Sequence, residues 1–125
     1  MISSLELAKS FLGKEIVVKI DRPLGSKHPK HDFVYQVNYG FIPNVKAPDG
    51  EELDAYYLGT DKPVNEATGK CVAIIHRLND DDSKLVVISP DKENISDEEI
   101  EKSVKFQEQW FEHQIIREEI PDKPE

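Results

Sequence analysis

Short runs of β-forming residues, each cut off by turn residues within a few positions, constrain this chain more than any other feature. Glu15 to Ile20, Ala55-Tyr56-Tyr57-Leu58, Lys70 to Leu78 and Lys84 to Ser89 are rich in β-branched and aromatic side chains and read as strands. Phe33 to Pro43 reads as one bent strand or two short ones, with Gly40 permitting a kink or bulge. Asn79-Asp80-Asp81-Asp82-Ser83 lies between two apolar runs and predicts a hairpin. Asp61-Lys62-Pro63 and Glu66-Ala67-Thr68-Gly69 read as loops. Helical signals are confined to the two ends. Ser3 or Ser4 caps a short helix with apolar positions Leu5, Ala8, Phe11 and Leu12 and a stop at Gly13. Ser96-Asp97-Glu98-Glu99 is a capping box opening a long helix to about Ile116 or Arg117. Its sheet-facing stripe is Ile100, Val104, Gln107, Phe111 and Ile115, flanked by Phe106 and Trp110. Five or six short strands with a terminal helix predict an α+β chain built on a small closed or partly closed barrel, because closure removes exposed edges.

With 125 residues the chain is long enough for a single core, so residues 1–125 are expected to form one domain. A net charge of -9 argues against nucleic acid and anionic membranes as partners. The N-terminus has no basic, apolar leader and no segment is apolar enough to span a bilayer, so the expected location is the cytoplasm. Cys71 is the single cysteine, which excludes an internal disulfide, and its apolar setting marks it as a core residue.

Two acidic clusters stand beside the predicted strands: Pro48-Asp49-Gly50-Glu51-Glu52-Leu53-Asp54 and Asn79 to Lys84. Carboxylates crowded on rigid strands repel one another unless a cation compensates them, and a hard divalent ion with oxygen ligands is the natural compensation. Asp82 and Lys84 are two apart and so project from one strand face. Asp21 to Asp32 carries Arg22, Lys27 and Lys30 with two histidines, a cationic arm in an acidic chain. Together these features predict a metal-dependent enzyme acting on a phosphate compound. Either cluster alone reads better as a solvated turn; two of them with a cationic arm in one small domain shift the balance toward a site. His28-Pro29-Lys30-His31 reads as a solvated loop rather than a zinc site. Arg77 either neutralises Asp80 or Asp81 or contacts substrate, and His113 is expected at the surface or an interface.

Asn38-Tyr39-Gly40-Phe41-Ile42-Pro43, then Asp49-Gly50-Glu51-Glu52-Leu53-Asp54, then Asp80 to Lys84 before an apolar strand, closely resemble the ordered motifs of the soluble family I inorganic pyrophosphatases. The resemblance runs from about Ile16 to Phe111. It implies an OB-like barrel of five strands with a short N-terminal and a long C-terminal helix, several Mg²⁺ ions (Mn²⁺ as an alternative), and hydrolysis of pyrophosphate to two orthophosphates by metal-activated water. Oligomers of identical chains are also implied. Carried over by residue, Asp49, Glu51 and Asp54 look like the first metal cluster, with Asp54 bridging the ions. Asp80 and Asp82 look like the second pair, with Asn79 or Asp81 as alternatives to Asp80. Lys84 would contact a phosphate and Tyr39 would hydrogen-bond it; Asp21 is a looser match to an early acidic residue.

The chain departs from the family pattern in four places. Glu51 stands where aspartate acts as general base, and Glu52 stands where proline is usual. The hairpin that supplies an arginine and a tyrosine is absent, with Arg22, Lys27 or Lys30 as substitutes. Trp110 to Ile115 resembles the late helix, but Gln114 and Ile115 replace its phosphate-binding tyrosine and lysine. Two other readings therefore stand beside pyrophosphate hydrolysis: cleavage of another phosphoanhydride, and a non-catalytic module binding metal or phosphate on the same scaffold.

Overall fold

β1 (Glu15–Arg22), β2 (Asn38–Lys46) and β3 (Glu52–Leu58) form an antiparallel meander, and β4 (Glu66–Arg77) and β5 (Asp82–Ile88) form the hairpin that the acidic turn predicts. The computed structural model describes residues 3–48, 50–79, 82–92 and 94–117. β5 lies parallel to β3 and β4 returns to pair with β1, closing the order β1-β2-β3-β5-β4-β1 into a five-stranded barrel of the OB type.

Closure explains two differences from the sequence reading. Glu66 to Gly69, expected as a loop, is the first third of β4, because these residues supply the ladder partners of Ile16 to Lys19. Gly69 is required there by packing rather than by a turn: a Cβ at this position would lie 2.3 Å from the carbonyl oxygen of Ile88. In β2, a Cβ on Gly40 would lie 1.8 Å from the carbonyl oxygen of Lys19, so β1 and β2 pair only over a glycine.

The second difference is at the C-terminus. α2 spans Asp97–Glu108, not the expected reach to Ile116 or Arg117, and a further strand β6 (His113–Arg117) follows. β1 covers only the first part of β4, which leaves the edge from Ala73 to Arg77 unpaired. β6 fills that edge, and satisfying its backbone groups outweighs continuing the helix. Arg117 to Asp97 (2.7 Å) and His113 to Glu101 (2.8 Å) tie β6 to α2. Phe111 and Ile115 are consequently not on a helical stripe, whereas Ile100, Val104 and Gln107 are buried as predicted. The expected strand from Phe33 begins only at Asn38, after an irregular stretch held by a bridge between Lys27 and Val34.

Both faces of β3, β4 and β5 are buried. Leu53, Ala55, Tyr57, Leu85 and Val87 point into the barrel, which α1 (Ser4–Lys9) plugs with Ala8. Tyr56, Leu58, Val86 and Ile88 point outward onto Ile100, Val104 and Phe106 of α2. An irregularity in the β4–β5 ladder between Cys71 and Ala73 keeps Cys71 inside while Ala73 and Ile75 join the outer face. Both capping boxes are formed, on Ser3 with Glu6 and on Ser96 with Glu99.

Candidate active site

The outward side chains of β3 and β5 continue past the hydrophobic contact with α2 and become polar. Asp54 precedes Tyr56 by two positions on β3, and Asp82 and Lys84 precede Val86 on β5, so strand alternation alone brings them to one face. The Lys84 ammonium is nearly buried and donates to the Tyr39 hydroxyl (2.8 Å) and Asp54 Oδ2 (3.1 Å), with Asp82 Oδ2 at 3.5 Å. Burial first, and then the Asp54 charge, push the Tyr39 phenol well above its ordinary value, so it stays a neutral donor.

Behind this group lies a buried polar network. Arg77 donates to Glu108 through Nε (3.0 Å, to Oε1) and Nη2 (2.8 Å, to Oε2), and through Nη1 to Asp82 (3.3 Å). The Tyr56 hydroxyl donates to Glu108 Oε2 (2.5 Å) and accepts from Gln107 Nε2 (2.7 Å); the Tyr35 hydroxyl donates to Gln107 Oε1 (3.1 Å). Burial alone would raise the Glu108 carboxyl, but its bonds from Arg77 and Tyr56 outweigh that and hold it below the ordinary carboxylate value. Burial would likewise lower Arg77, yet Glu108 and Asp82 hold it above its ordinary value. Glu108 was not among the site residues expected from the sequence. The available signal was a carboxylate at helical spacing from Ile100 and Val104, in line with an apolar stripe. Asn38 was also unremarked beyond its motif; its buried side chain accepts from the backbone of Leu24 (2.9 Å) and Val64 (3.2 Å) and donates to the Lys62 carbonyl (2.9 Å), fixing the loops around the site.

A cavity of about 810 Å³ opens onto Tyr39, Asp54, Lys84 and Arg77, with Asp21, Arg22 and Lys30 along its sides. Of the residues expected at the site, Tyr39, Asp54, Asp82 and Lys84 come together and Arg22 joins them at the cavity. Lys27 does not line the cavity: its ammonium pairs with Asp32 at 3.6 Å in solvent, and Lys30 takes the place on the cavity wall. Glu51 is exposed on the turn before β3 and is not among the lining residues. Asp49 and Asp80, with Asp81, lie outside the described residues. His28 accepts from the backbone of Lys30 and His31 through Nδ1, a loop role rather than a metal site.

The donors fit a hard cation in kind. Asp21 and Asp54 face the same cavity, and the Asp21 carboxyl is raised above its ordinary 3.8 first by desolvation and further by the charges of Asp54 and Glu52. A divalent cation would relieve that repulsion through oxygen ligands. Among the described residues no three carboxylate, imidazole or thiolate side chains converge on one point, so a complete coordination sphere needs ligands beyond them.

The fold is an OB-type barrel that sets carboxylates, a nearly buried ammonium and a phenol against one cavity. The chain belongs to the inorganic pyrophosphatase family, whose model matches residues 11–122. A curated relative, inorganic pyrophosphatase 1 of Pseudomonas syringae pv. tomato, is 38% identical over 63 residues; the match covers 46% of this chain and 35% of that protein. Two solved structures share the fold. The inorganic pyrophosphatase of Ehrlichia chaffeensis has a TM-score of 0.67 at 17% identity, covering 86% of this chain and 88% of that one. That of Helicobacter pylori has a TM-score of 0.61 at 17% identity, covering 82% and 84%.

Proposed function

We propose that this site hydrolyses inorganic pyrophosphate to two orthophosphates. The observation that carries the reading is the Lys84 ammonium, which lines the cavity and is fixed between Asp54 and the Tyr39 hydroxyl. A buried ammonium held ready for a phosphate oxygen costs no reorganisation when charge develops on the leaving group. Lys84, Arg22 and Lys30 bind phosphate oxygens, and Tyr39 donates its proton in a hydrogen bond without ionising. Asp54 is the carboxylate on the cavity wall and would hold the ions, while Glu51, on the turn before β3, is the group assigned to accept the proton of the attacking water. Arg77 holds Asp82 in place from behind.

We assign Asp54, Asp82 and Glu51, with Asp49 and Asp80, as the ligands of several magnesium ions, manganese being the alternative. When bound, these ions supply charge neutralisation and activation of water. Residues 1–125 act as one domain in this reading, in the cytoplasm and as a homo-oligomer. Among the described residues no helix is long and apolar enough to cross a membrane. Light scattering of the purified chain tests the assembly.

Phosphate release from pyrophosphate, measured colorimetrically with and without Mg²⁺, tests the function. Release that depends on Mg²⁺ supports it; binding without release selects the non-catalytic reading instead.

A further inference from the structure

The cavity is larger than a two-phosphorus anion needs. Its volume of about 810 Å³ falls in the range of roughly 300–1,000 Å³ typical of sites that enclose much larger organic ligands. Beside the phosphate-binding side chains the cavity is walled by aromatic rings from two distant parts of the chain, the arm before β2 and the segment after α2. The Phe33 and Trp110 rings have centroids 5.5 Å apart, and His31 stacks on Phe33 at 6.2 Å with planes 7° apart. Trp110 is 62% exposed and Phe111 37%, with Arg77 over the Phe111 ring at 3.7 Å.

Large aromatic faces left open to water beside cationic side chains are what a stacking platform for a base requires. Arg22, Lys30, Arg77 and Lys84 line the cavity together with these rings and with the carboxylates of Asp21, Asp32 and Asp54, a local concentration of cations in a chain whose net charge is -9. Pyrophosphate alone has no apolar face to set against these rings. A second copy of the chain could cover Trp110, but the rings share a concave, cation-lined cavity rather than standing on a flat patch, which favours a small anionic ligand.

We propose that this site also takes a nucleoside diphosphate, with its phosphates at Lys84 and Arg22 and its base on the wall of Trp110, Phe33 and His31. The inference rests on the phosphoanhydride-hydrolysis reading above and extends its substrate class. In the reaction, water oxygen forms a bond to the terminal phosphorus and the bond from that phosphorus to the bridging oxygen breaks. The bridging oxygen leaves on the nucleoside monophosphate, orthophosphate is the other product, and one water proton is released. No redox partner is needed.

Trp110 is the only tryptophan, so intrinsic fluorescence reports this wall directly. The full chain is titrated with the α,β-methylene analogue of adenosine diphosphate and, separately, with methylenediphosphonate. The nucleotide analogue should quench Trp110 saturably, with half-saturation about tenfold below that of methylenediphosphonate. Adenosine diphosphate should give AMP and orthophosphate, and Trp110→Ala should raise its KM about tenfold relative to that for pyrophosphate. Pyrophosphate turnover without quenching or AMP release overturns this inference and leaves the pyrophosphatase reading standing. Turnover of neither compound overturns both. Quenching without AMP release overturns the nucleotide as substrate. A tryptophan signal that follows protein concentration and ignores nucleotide shows that a second copy covers the wall, and also overturns it.

Discussion

Arg77 and Glu108 meet in a two-pronged pair at 3.0 and 2.8 Å, joining the last turn of α2 to the end of β4, the strand that leads into the second acidic cluster. Glu108 is fully buried, and its second partner, Tyr56, lies on β3 two residues beyond Asp54. Through Tyr56 on β3 and through the Arg77 bond to Asp82 on β5, the pair couples the end of the helix to both strands of the site. Removing one partner leaves the other charge buried and unpaired. Glu108→Ala should destabilise the chain by about 3–5 kcal/mol, measured by urea denaturation. Glu108→Leu should lose comparable stability, because it leaves Arg77 equally uncompensated. The folded-state value of Glu108 lies below 4.5. Its contribution is thus present above 4.5 and disappears as pH falls through the depressed value, so wild type and Glu108→Gln should converge in stability in acid.

Asp54 and Lys84 differ in what their removal exposes. Asp54 is partly open to the cavity, so Asp54→Ala should abolish Mg²⁺-dependent phosphate release while circular dichroism and the unfolding midpoint stay near wild type. Unchanged turnover would count against the assigned role. Lys84→Met retains most of the buried stem and removes the charge; kcat for pyrophosphate should fall by about 10²–10³.

His113 gives a test of the C-terminal strand. Burial lowers its affinity for a proton, but the hydrogen bonds to Glu101 and to the Phe111 carbonyl outweigh burial and raise it above 6.5. The folded state binds this proton more tightly than the unfolded state does. The associated stability is complete below 6.5 and is lost as pH rises through the folded value. Titration of the His113 ring by NMR should give a midpoint above 6.5, and Glu101→Gln should bring it back toward that value. A midpoint at or below 6.5 in the wild type would remove the His113–Glu101 contact between β6 and α2.

Gly40→Ala tests the closest approach of β1 and β2. The added carbon would lie 1.8 Å from the Lys19 oxygen, a backbone atom with no rotamer to escape into. The loss should reach or exceed the upper end of the roughly 1–3 kcal/mol range of overpacking. Gly50→Ala meets no neighbour within 4 Å, although its positive φ adds local strain, so it should cost less.

Much of the site was legible because strand alternation is local. Asp82 and Lys84 share a face whatever surrounds them, and Tyr56 and Tyr57 point to opposite faces of β3: Tyr57 into the barrel, bonded to the Thr68 carbonyl, and Tyr56 out to Glu108. The Ser96–Glu99 capping box was legible for the same reason, since its bonds span three residues; at the N-terminus the sequence left Ser3 and Ser4 as alternatives, and the structure gives Ser3, with Glu6 completing a second box. The Glu108 network was not, because its partners are separated by 31 and 52 positions and a glutamate near a helix end reads as solvated. The sequence offered Arg22, Lys27 and Lys30 as alternatives, and which of them reach the cavity wall was not legible, because it depends on how the arm folds over Tyr35.

The amino-acid order by itself determined the strand set from β1 to β5, the hairpin through the second acidic cluster, the helix starts, and the common face of Asp82 and Lys84. These rest on periods of two and on contacts a few residues apart. Tertiary structure alone decided where α2 ends, that Glu66 to Gly69 extends β4, and that His113 to Arg117 becomes a strand. Each of those outcomes is imposed by an unpaired edge elsewhere in the barrel, whose backbone donors and acceptors must be met by a segment far away in the chain.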